Sequence, residues 1–210
     1  MGLMIPGPAG RLEALLWLPE HGATPRAAAC VCHPHPAHGG TLKNNVVHRT
    51  ARALQQAGLA VLRFNFRGVG RSAGEHDGRG AEDDDLTAAL DWLEHELPEL
   101  PLWAAGFSFG ARTAARVATR DARVERVILV ALPVLAYPCA FAADIEQPGL
   151  AVMAGDDDFG TLAALRERFP GLAARLETVE VPGADHFFTG KLAELHALVA
   201  GHASRALNPA

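Results

Sequence analysis

Serine, cysteine and lysine are scarce in this chain of 210 residues, and the scarcity of serine and of cysteine limits what the protein can be. The serines are Ser72, Ser108 and Ser204, the cysteines are Cys30, Cys32 and Cys139, and the lysines are Lys43 and Lys191. Two of the three cysteines are two positions apart in an apolar run, and alternate positions of a strand face the same way. This pattern argues against a disulfide framework. We therefore expect three free thiols and a cytoplasmic protein.

Long apolar runs and concentrated positive charge are also missing. No apolar stretch reaches the length of a membrane span, and the first 20 residues lack the basic start and apolar core of a signal peptide. We expect neither a leader nor a membrane anchor. The net charge is −5 and the 19 basic residues are scattered. A nucleic-acid partner is therefore not expected.

The remaining pattern is that of a layered α/β domain. Hydrophobic residues make up 49% of the chain and charged residues 20%, as in globular proteins. Apolar segments at 11–18, 27–32, 59–65, 102–107, 124–132, 149–154 and 176–181 predict strands, separated by helical segments. Continuous apolar strands between helices indicate a mostly parallel sheet of about seven strands with helices on both faces. We expect residues 1–210 to form a single domain.

The strongest chemical signal is a Gly-x-Ser-x-Gly pentapeptide at 106–110. It ends a predicted strand and opens a predicted helix, so Ser108 would occupy a sharp turn at the carboxyl edge of the sheet. A helix-capping serine is the structural alternative. Ser72 lies in a Gly-rich loop and Ser204 near the end of the chain, without such a turn. Ser108 is therefore the predicted nucleophile.

A serine nucleophile needs a base and an acid that orients the base. His186 follows the last predicted strand and should lie at the same sheet edge as Ser108. The acid should follow the penultimate strand, where Asp156, Asp157 and Asp158 are consecutive. Asp185 is a poor alternative because neighbouring side chains in a loop usually diverge. The resulting chain order of serine, aspartate and histidine is that of the nucleophile-elbow enzymes.

These segments resemble those of an α/β-hydrolase, in particular the small lidless serine esterases of the dienelactone-hydrolase-like branch. The resemblance is carried by the elbow, by the aspartate and histidine segments, and by the segments 33–41 and 64–72. In such families the acid commonly follows the strand-ending glycine by three positions, which favours Asp158 over Asp156 and Asp157. The chain departs from true dienelactone hydrolases in carrying serine rather than cysteine at the elbow.

The oxyanion hole should combine two backbone amides. One belongs to Phe109, the residue after the nucleophile. The other should come from the loop after the second strand, where Pro34 and Pro36 have no N–H. His35 lies between these prolines and is the preferred donor, with Gly39 and Gly40 as alternatives.

Neither a metal nor another cofactor is predicted. A metal site is the alternative interpretation of one segment, in which five potential ligands fall within nine residues, namely Cys30, Cys32, His33, His35 and His38. Their spacing matches no common zinc pattern. Gly68, Gly70 and Gly74 fail the dinucleotide fingerprint because no helix begins there.

The predicted function is hydrolysis of small soluble carboxylic esters through Ser108, His186 and Asp158 and an acyl-enzyme intermediate. Only 16 residues, 133–148, are available where this fold usually inserts a cap. No cap domain is expected, and an open site favours a small acyl ester as substrate. The alternatives are a thioesterase, a peptidase or amidase, or an acyltransferase that uses the same triad. A non-catalytic binding protein of this fold is a further alternative.

Overall fold

A central sheet organises the protein, whose computed structural model describes residues 2–78 and 80–209. Within this part of the chain there are eight strands: β1 Gly2–Ile5, β2 Leu12–Trp17, β3 Ala27–Cys32, β4 Leu59–Phe64, β5 Leu102–Phe107, β6 Val124–Val130, β7 Gly149–Ala154 and β8 Glu177–Val181. The six α-helices of the same residues are α1 Asn45–Gln56, α2 Glu82–Glu96, α3 Phe109–Ala118, α4 Leu162–Arg168, α5 Pro170–Arg175 and α6 Leu192–Leu207.

The strands form one sheet in the order β1-β2-β4-β3-β5-β6-β7-β8. The pairs from β4 through β8 are parallel, whereas β1–β2 and β2–β4 are antiparallel. The predicted mostly parallel α/β sheet is confirmed. Its strand number was too low by one, because the short strand β1 is an edge element whose four residues carry little periodicity.

The strands β3, β5 and β7 are apolar and buried along their whole length because both sheet faces are covered there. In β3, Ala28, Cys30 and Cys32 pack into the core beneath α2 and α3. The alternate residues of the same strand pack into the core beneath α1 and α6. All three cysteines are free and buried. Burial raises the pKa of the Cys30 and Cys32 thiols, so both stay protonated.

The start of helix α1 is marked in the sequence by a capping residue. Asn44 caps α1 by accepting hydrogen bonds from the amides of Val46 and Val47. The two short helices α4 and α5 were not predicted. Their few residues bury only Leu162, Leu165 and Leu172, too few positions for a recognisable helical period.

The described residues form no cap domain over the carboxyl edge of the sheet. Between β6 and β7 the described chain forms one short 3-10 helix, Ala140–Asp144, so the predicted absence of a cap is confirmed. Among the described helices, none combines the length and apolar character needed to cross a membrane. The loops that follow β3, β5, β7 and β8 therefore meet in the open at this edge.

Candidate active site

Ser108 occupies the turn between β5 and α3. Its backbone has φ 55° and ψ −117°, a conformation that non-glycine residues seldom adopt. The Ser108 amide donates a hydrogen bond to the carbonyl of Val130, which anchors the turn to the end of β6. Backbone strain of this kind persists only where the surrounding structure holds it, and such positions cluster at functional sites.

The flanking glycines make this turn possible. A Cβ on Gly106 would lie 2.2 Å from the carbonyl carbon and oxygen of Gly110. A Cβ on Gly110 would lie 2.4 Å from the carbonyl oxygen of Cys32, at the end of β3. Each contact is far shorter than carbon atoms tolerate, so both positions require glycine. The elbow is thereby packed directly against the loop that begins at His33.

The structure brings Ser108 and His186 together. Nε2 of His186 lies 2.8 Å from Oγ of Ser108, although the residues are 78 positions apart. The turn that carries His186 is held by the Asp185 carboxylate, which accepts hydrogen bonds from the amides of Phe187 and Thr189. Asp185 therefore supports the loop and does not contact the imidazole as its acid.

The prediction that Asp158 pairs with His186 is wrong. The His186 Nδ1 atom lies 2.7 Å from Oδ2 of Asp157. Asp157 is buried, and its Oδ1 accepts a hydrogen bond from the Phe159 amide. Asp156 and Asp158, by contrast, are exposed. The reason lies in the turn after β7. There the amide of Asp156 donates a hydrogen bond to the carbonyl of Ala184, so the side chain of the next residue, Asp157, faces the loop that carries His186.

Aromatic rings surround the imidazole. The ring of His186 lies 5.0 Å from that of Phe107, 4.7 Å from that of Phe159 and 5.3 Å from that of Phe187, measured between centroids. These contacts restrict the orientations of the imidazole. Phe188, by contrast, is fully buried in the core.

The loop after β3 lies beside the elbow. The ring of His35 packs 4.9 Å from that of Phe109, and no acceptor for the His35 amide occurs among the described residues. Gly39 and Gly40 line the same cavity as His35. His35 and Phe109 thus lie next to each other in space. Their backbone amides are the two oxyanion donors predicted from the sequence.

A cavity of about 280 Å³ opens above Ser108. Its wall includes His186, His35 and three aromatic side chains that sequence reasoning did not place there together: Tyr137, Phe159 and Phe187. Tyr137 comes from the 131–148 segment and Phe159 from the aspartate turn, so only the fold shows that they converge. Two larger but shallower depressions, of about 460 and 530 Å³, lie beside α2, and the described residues that line them include neither serine nor cysteine.

The described residues include no group of three or more His, Cys, Asp or Glu side chains arranged to hold a metal. The five potential ligands noted in the sequence do not converge on one point, although the rings of His35 and His38 pack 4.8 Å apart. Cys30 and Cys32 lie inside the core, and His33 makes its own internal hydrogen bonds.

The fold and the strained serine turn define an α/β hydrolase. Residues 24–155 match the family model described as Hydrolase_4, serine aminopeptidase S33, and the chain belongs to this family. An uncharacterized protein of Rickettsia prowazekii is 33% identical over 198 residues, which cover 90% of this chain and 82% of that protein.

Solved structures agree with this assignment. An α/β serine hydrolase homologue from Coxiella burnetii is 38% identical, with a TM-score of 0.88 and 96% of each chain covered. An α/β serine hydrolase without lid from Xanthomonas campestris is 35% identical, with a TM-score of 0.89 and coverage of 100% of this chain and 95% of that one.

Proposed function

We propose that this protein is a carboxylesterase that cleaves small, uncharged esters through Ser108, His186 and Asp157. The observation that carries the proposal is the unbroken hydrogen-bond chain from Ser108 Oγ to His186 Nε2 and from His186 Nδ1 to Asp157 Oδ2, at 2.8 and 2.7 Å. With Nδ1–H donated to the carboxylate, Nε2 carries the lone pair that a general base requires.

The mechanism follows from this tautomer. Ser108 Oγ attacks the ester carbonyl carbon while its proton passes to His186 Nε2. The tetrahedral intermediate collapses, the C–O bond to the alcohol breaks, and the leaving oxygen takes the proton from Nε2. Water then attacks the acyl-serine with the same base, releasing the carboxylic acid and restoring Ser108. The Asp157 carboxylate orients the imidazole and stabilises its protonated form.

The cavity supports an uncharged substrate. Among the described residues that line it, none is an Asp, Glu, Lys or Arg. Burial and the neighbouring His76 and His38 lower the pKa of His35, so this ring is neutral at neutral pH. A volume of about 280 Å³ is at the small end for ligand sites. Short acyl groups on small alcohols match both properties.

The same features argue against an aminopeptidase activity on this chain, despite the family's description. An aminopeptidase must pair the ammonium group of its substrate with an acidic side chain or a similar acceptor. The described cavity wall offers no carboxylate, since Asp157 is buried behind His186. We expect turnover of p-nitrophenyl acetate and butyrate, and no measurable turnover of alanine p-nitroanilide.

The scarcity of serine makes the decisive experiment simple. A fluorophosphonate probe should label the wild-type protein on the peptide that contains Ser108, and Ser108→Ala should abolish both labelling and ester hydrolysis. Ser204→Ala is the matched control, because Ser204 is exposed on α6 and away from the site. Undiminished hydrolysis by Ser108→Ala would refute the proposal.

A further inference from the structure

His33 is a buried histidine that the triad does not use. It follows β3 directly and is fully enclosed. Its Nε2 lies 3.0 Å from the Phe66 amide, which can only donate, so Nε2 must be the unprotonated acceptor. Nδ1 therefore carries the proton in the neutral ring, and it donates to the Pro34 carbonyl at 2.6 Å.

This second bond acts on the peptide that contains the His35 amide. The Pro34 carbonyl and the His35 N–H belong to one planar trans peptide, in which C=O and N–H point in opposite directions. A ring that fixes the direction of the carbonyl therefore also fixes the direction of the amide. We propose that His33 is a positioning residue that, through the Pro34 carbonyl, aims the His35 N–H at the substrate oxyanion. The proposal rests on the ester hydrolysis proposed above.

The surroundings of this peptide favour a single orientation. Gly40 packs so closely that a Cβ there would lie 2.0 Å from the Pro34 carbonyl oxygen. Pro34 itself has a fixed φ, and His35 has φ −50° and ψ 125° at the start of a short 3-10 helix. The His35 amide has no acceptor among the described residues, so it is available to a ligand.

His33 also ties the loop to the rest of the fold. Its partner Phe66 follows β4. The next residue, Arg67, is held to α2 because its backbone amide donates a hydrogen bond to the Asp85 carboxylate and its guanidinium forms an ion pair with the same group. The far end of the same loop is held by Asn65, whose side chain accepts the Leu42 amide. The segment after β4 thus anchors both ends of the loop that carries His35.

The chemistry of His33 suits a fixed role. Burial lowers its pKa to about 4, so the ring remains neutral under ordinary conditions and keeps one donor and one acceptor. A protonated ring would lose the acceptor for Phe66, whereas the neutral ring satisfies both partners.

Two amide substitutions separate the bonds of His33. In His33→Asn, Nδ2 can occupy the place of Nδ1 and still donate to Pro34, but nothing reaches Phe66. In His33→Gln, Oε1 can replace Nε2 towards Phe66, but the donor to Pro34 is lost. Both variants lose one bond, so a general structural role predicts similar effects. The proposal predicts a large kinetic effect for Gln and a small one for Asn.

The readout is the preference for an ester over the matching thionoester, in which sulfur replaces the carbonyl oxygen. Oxyanion donors favour oxygen, so their loss reduces this preference. For His33→Gln we expect kcat for the ester to fall about 100-fold with KM within about threefold, the size typical of one lost oxyanion donor. The ester-to-thionoester ratio of kcat/KM should fall at least about tenfold. His33→Asn should retain most of the wild-type kcat for the ester and most of the wild-type ester-to-thionoester ratio.

Equal losses in the two variants, or an unchanged ester-to-thionoester ratio in His33→Gln, would overturn the proposal. If His33→Gln does not fold, His35→Pro provides the second measurement, because φ −50° accepts proline and the amide is removed directly. Its ratio should fall in the same way, and an unchanged ratio would again overturn the proposal.

Failure of the underlying esterase function has a different signature. A wild-type protein without Ser108-dependent ester hydrolysis would overturn both proposals together. Wild-type hydrolysis with normal fluorophosphonate labelling, combined with unaffected ratios in the variants, would overturn only the role of His33.

Discussion

The carboxylate of Asp157 accepts a hydrogen bond from Nδ1 of His186 at 2.7 Å, with its second oxygen held by the Phe159 amide. Both oxygens of this buried side chain are thus engaged, which orients the carboxylate before any substrate binds. An acid fixed in this way determines the tautomer and the plane of the imidazole.

Replacing this acid gives a direct comparison of two adjacent residues. Asp157→Asn should lower kcat for p-nitrophenyl butyrate by about 10³- to 10⁴-fold, because an amide can no longer hold the productive tautomer. Asp158→Asn should remain within about twofold of wild type, since an exposed side chain at that position has no contact with His186. Steady-state kinetics check both, and an inactive Asp158→Asn beside an active Asp157→Asn would contradict the geometry.

The stability of the protein should depend on pH through His33. Its pKa is about 4 in the folded protein, against a usual value near 6.5. Because the folded-state pKa is lowered, neutral His33 makes its full contribution to the free energy of unfolding above pH 6.5. This contribution is lost as the pH falls towards 4. The full difference corresponds to about 3 kcal/mol of unfolding free energy.

This dependence is measured by urea unfolding of wild type and His33→Gln between neutral pH and pH 4. The variant should be less stable at neutral pH and should lose less stability on acidification, because its side chain does not titrate. The difference between the two curves isolates His33 from the other titrating groups. Parallel curves for the two proteins would show that His33 is not the group responsible.

The aromatic rim of the cavity should affect substrate binding more than folding. Phe187 is 56% exposed and Phe159 is 44% exposed, yet both line the cavity. Phe187→Ala should raise KM for p-nitrophenyl butyrate by about three- to tenfold, the effect of losing a modest apolar contact with the substrate. Its melting temperature should change little.

Leu18→Ala is the matched control, because Leu18 is 51% exposed and lies outside the cavity. It should leave KM unchanged. Equal KM values for Phe187→Ala and wild type would show that the substrate does not use this rim.

A methyl group at the elbow should be far more damaging than one elsewhere. Gly110→Ala would drive a Cβ to 2.4 Å from the Cys32 carbonyl oxygen, so the contact between α3 and the end of β3 must open. We expect a loss of about 3 kcal/mol of unfolding free energy, at the upper end for an overpacked site, or failure to fold.

Gly171→Ala is the corresponding control, since a Cβ at this position of α5 meets nothing within 4 Å. Alanine is favoured over glycine in a helix by up to about 1 kcal/mol, so this variant should be neutral or slightly more stable. Thermal unfolding compares the two, and a Gly110→Ala protein as stable as wild type would refute the close packing of the elbow.

Several elements could be predicted from the sequence because their signals are local. The apolar segments that form β3 and β5 are buried on both faces, and this burial leaves a continuous run of hydrophobic residues. Gly106 and Gly110 are required by short backbone contacts on either side of Ser108, so the elbow has a recognisable pattern. The edge strand β1 and the short helices α4 and α5 bury too few residues to leave one.

The acid illustrates the limit of such reasoning. Asp156, Asp157 and Asp158 are chemically identical, and their difference is one of direction. The direction depends on how far β7 continues its pairing with the segment after β8, a contact between residues nearly 30 positions apart. The spacing common in the resembling families predicted Asp158, which is one position after the residue that contacts His186.

The amino-acid sequence by itself determined the α/β class, the position of the elbow serine and the region of the histidine, because strand burial and glycine requirements are written in short segments. Only the tertiary structure decided which aspartate meets His186, which aromatic rings surround the cavity and where His33 directs its two hydrogen bonds. These features join residues from separate loops, and their geometry exists only once the carboxyl ends of the parallel strands lie side by side.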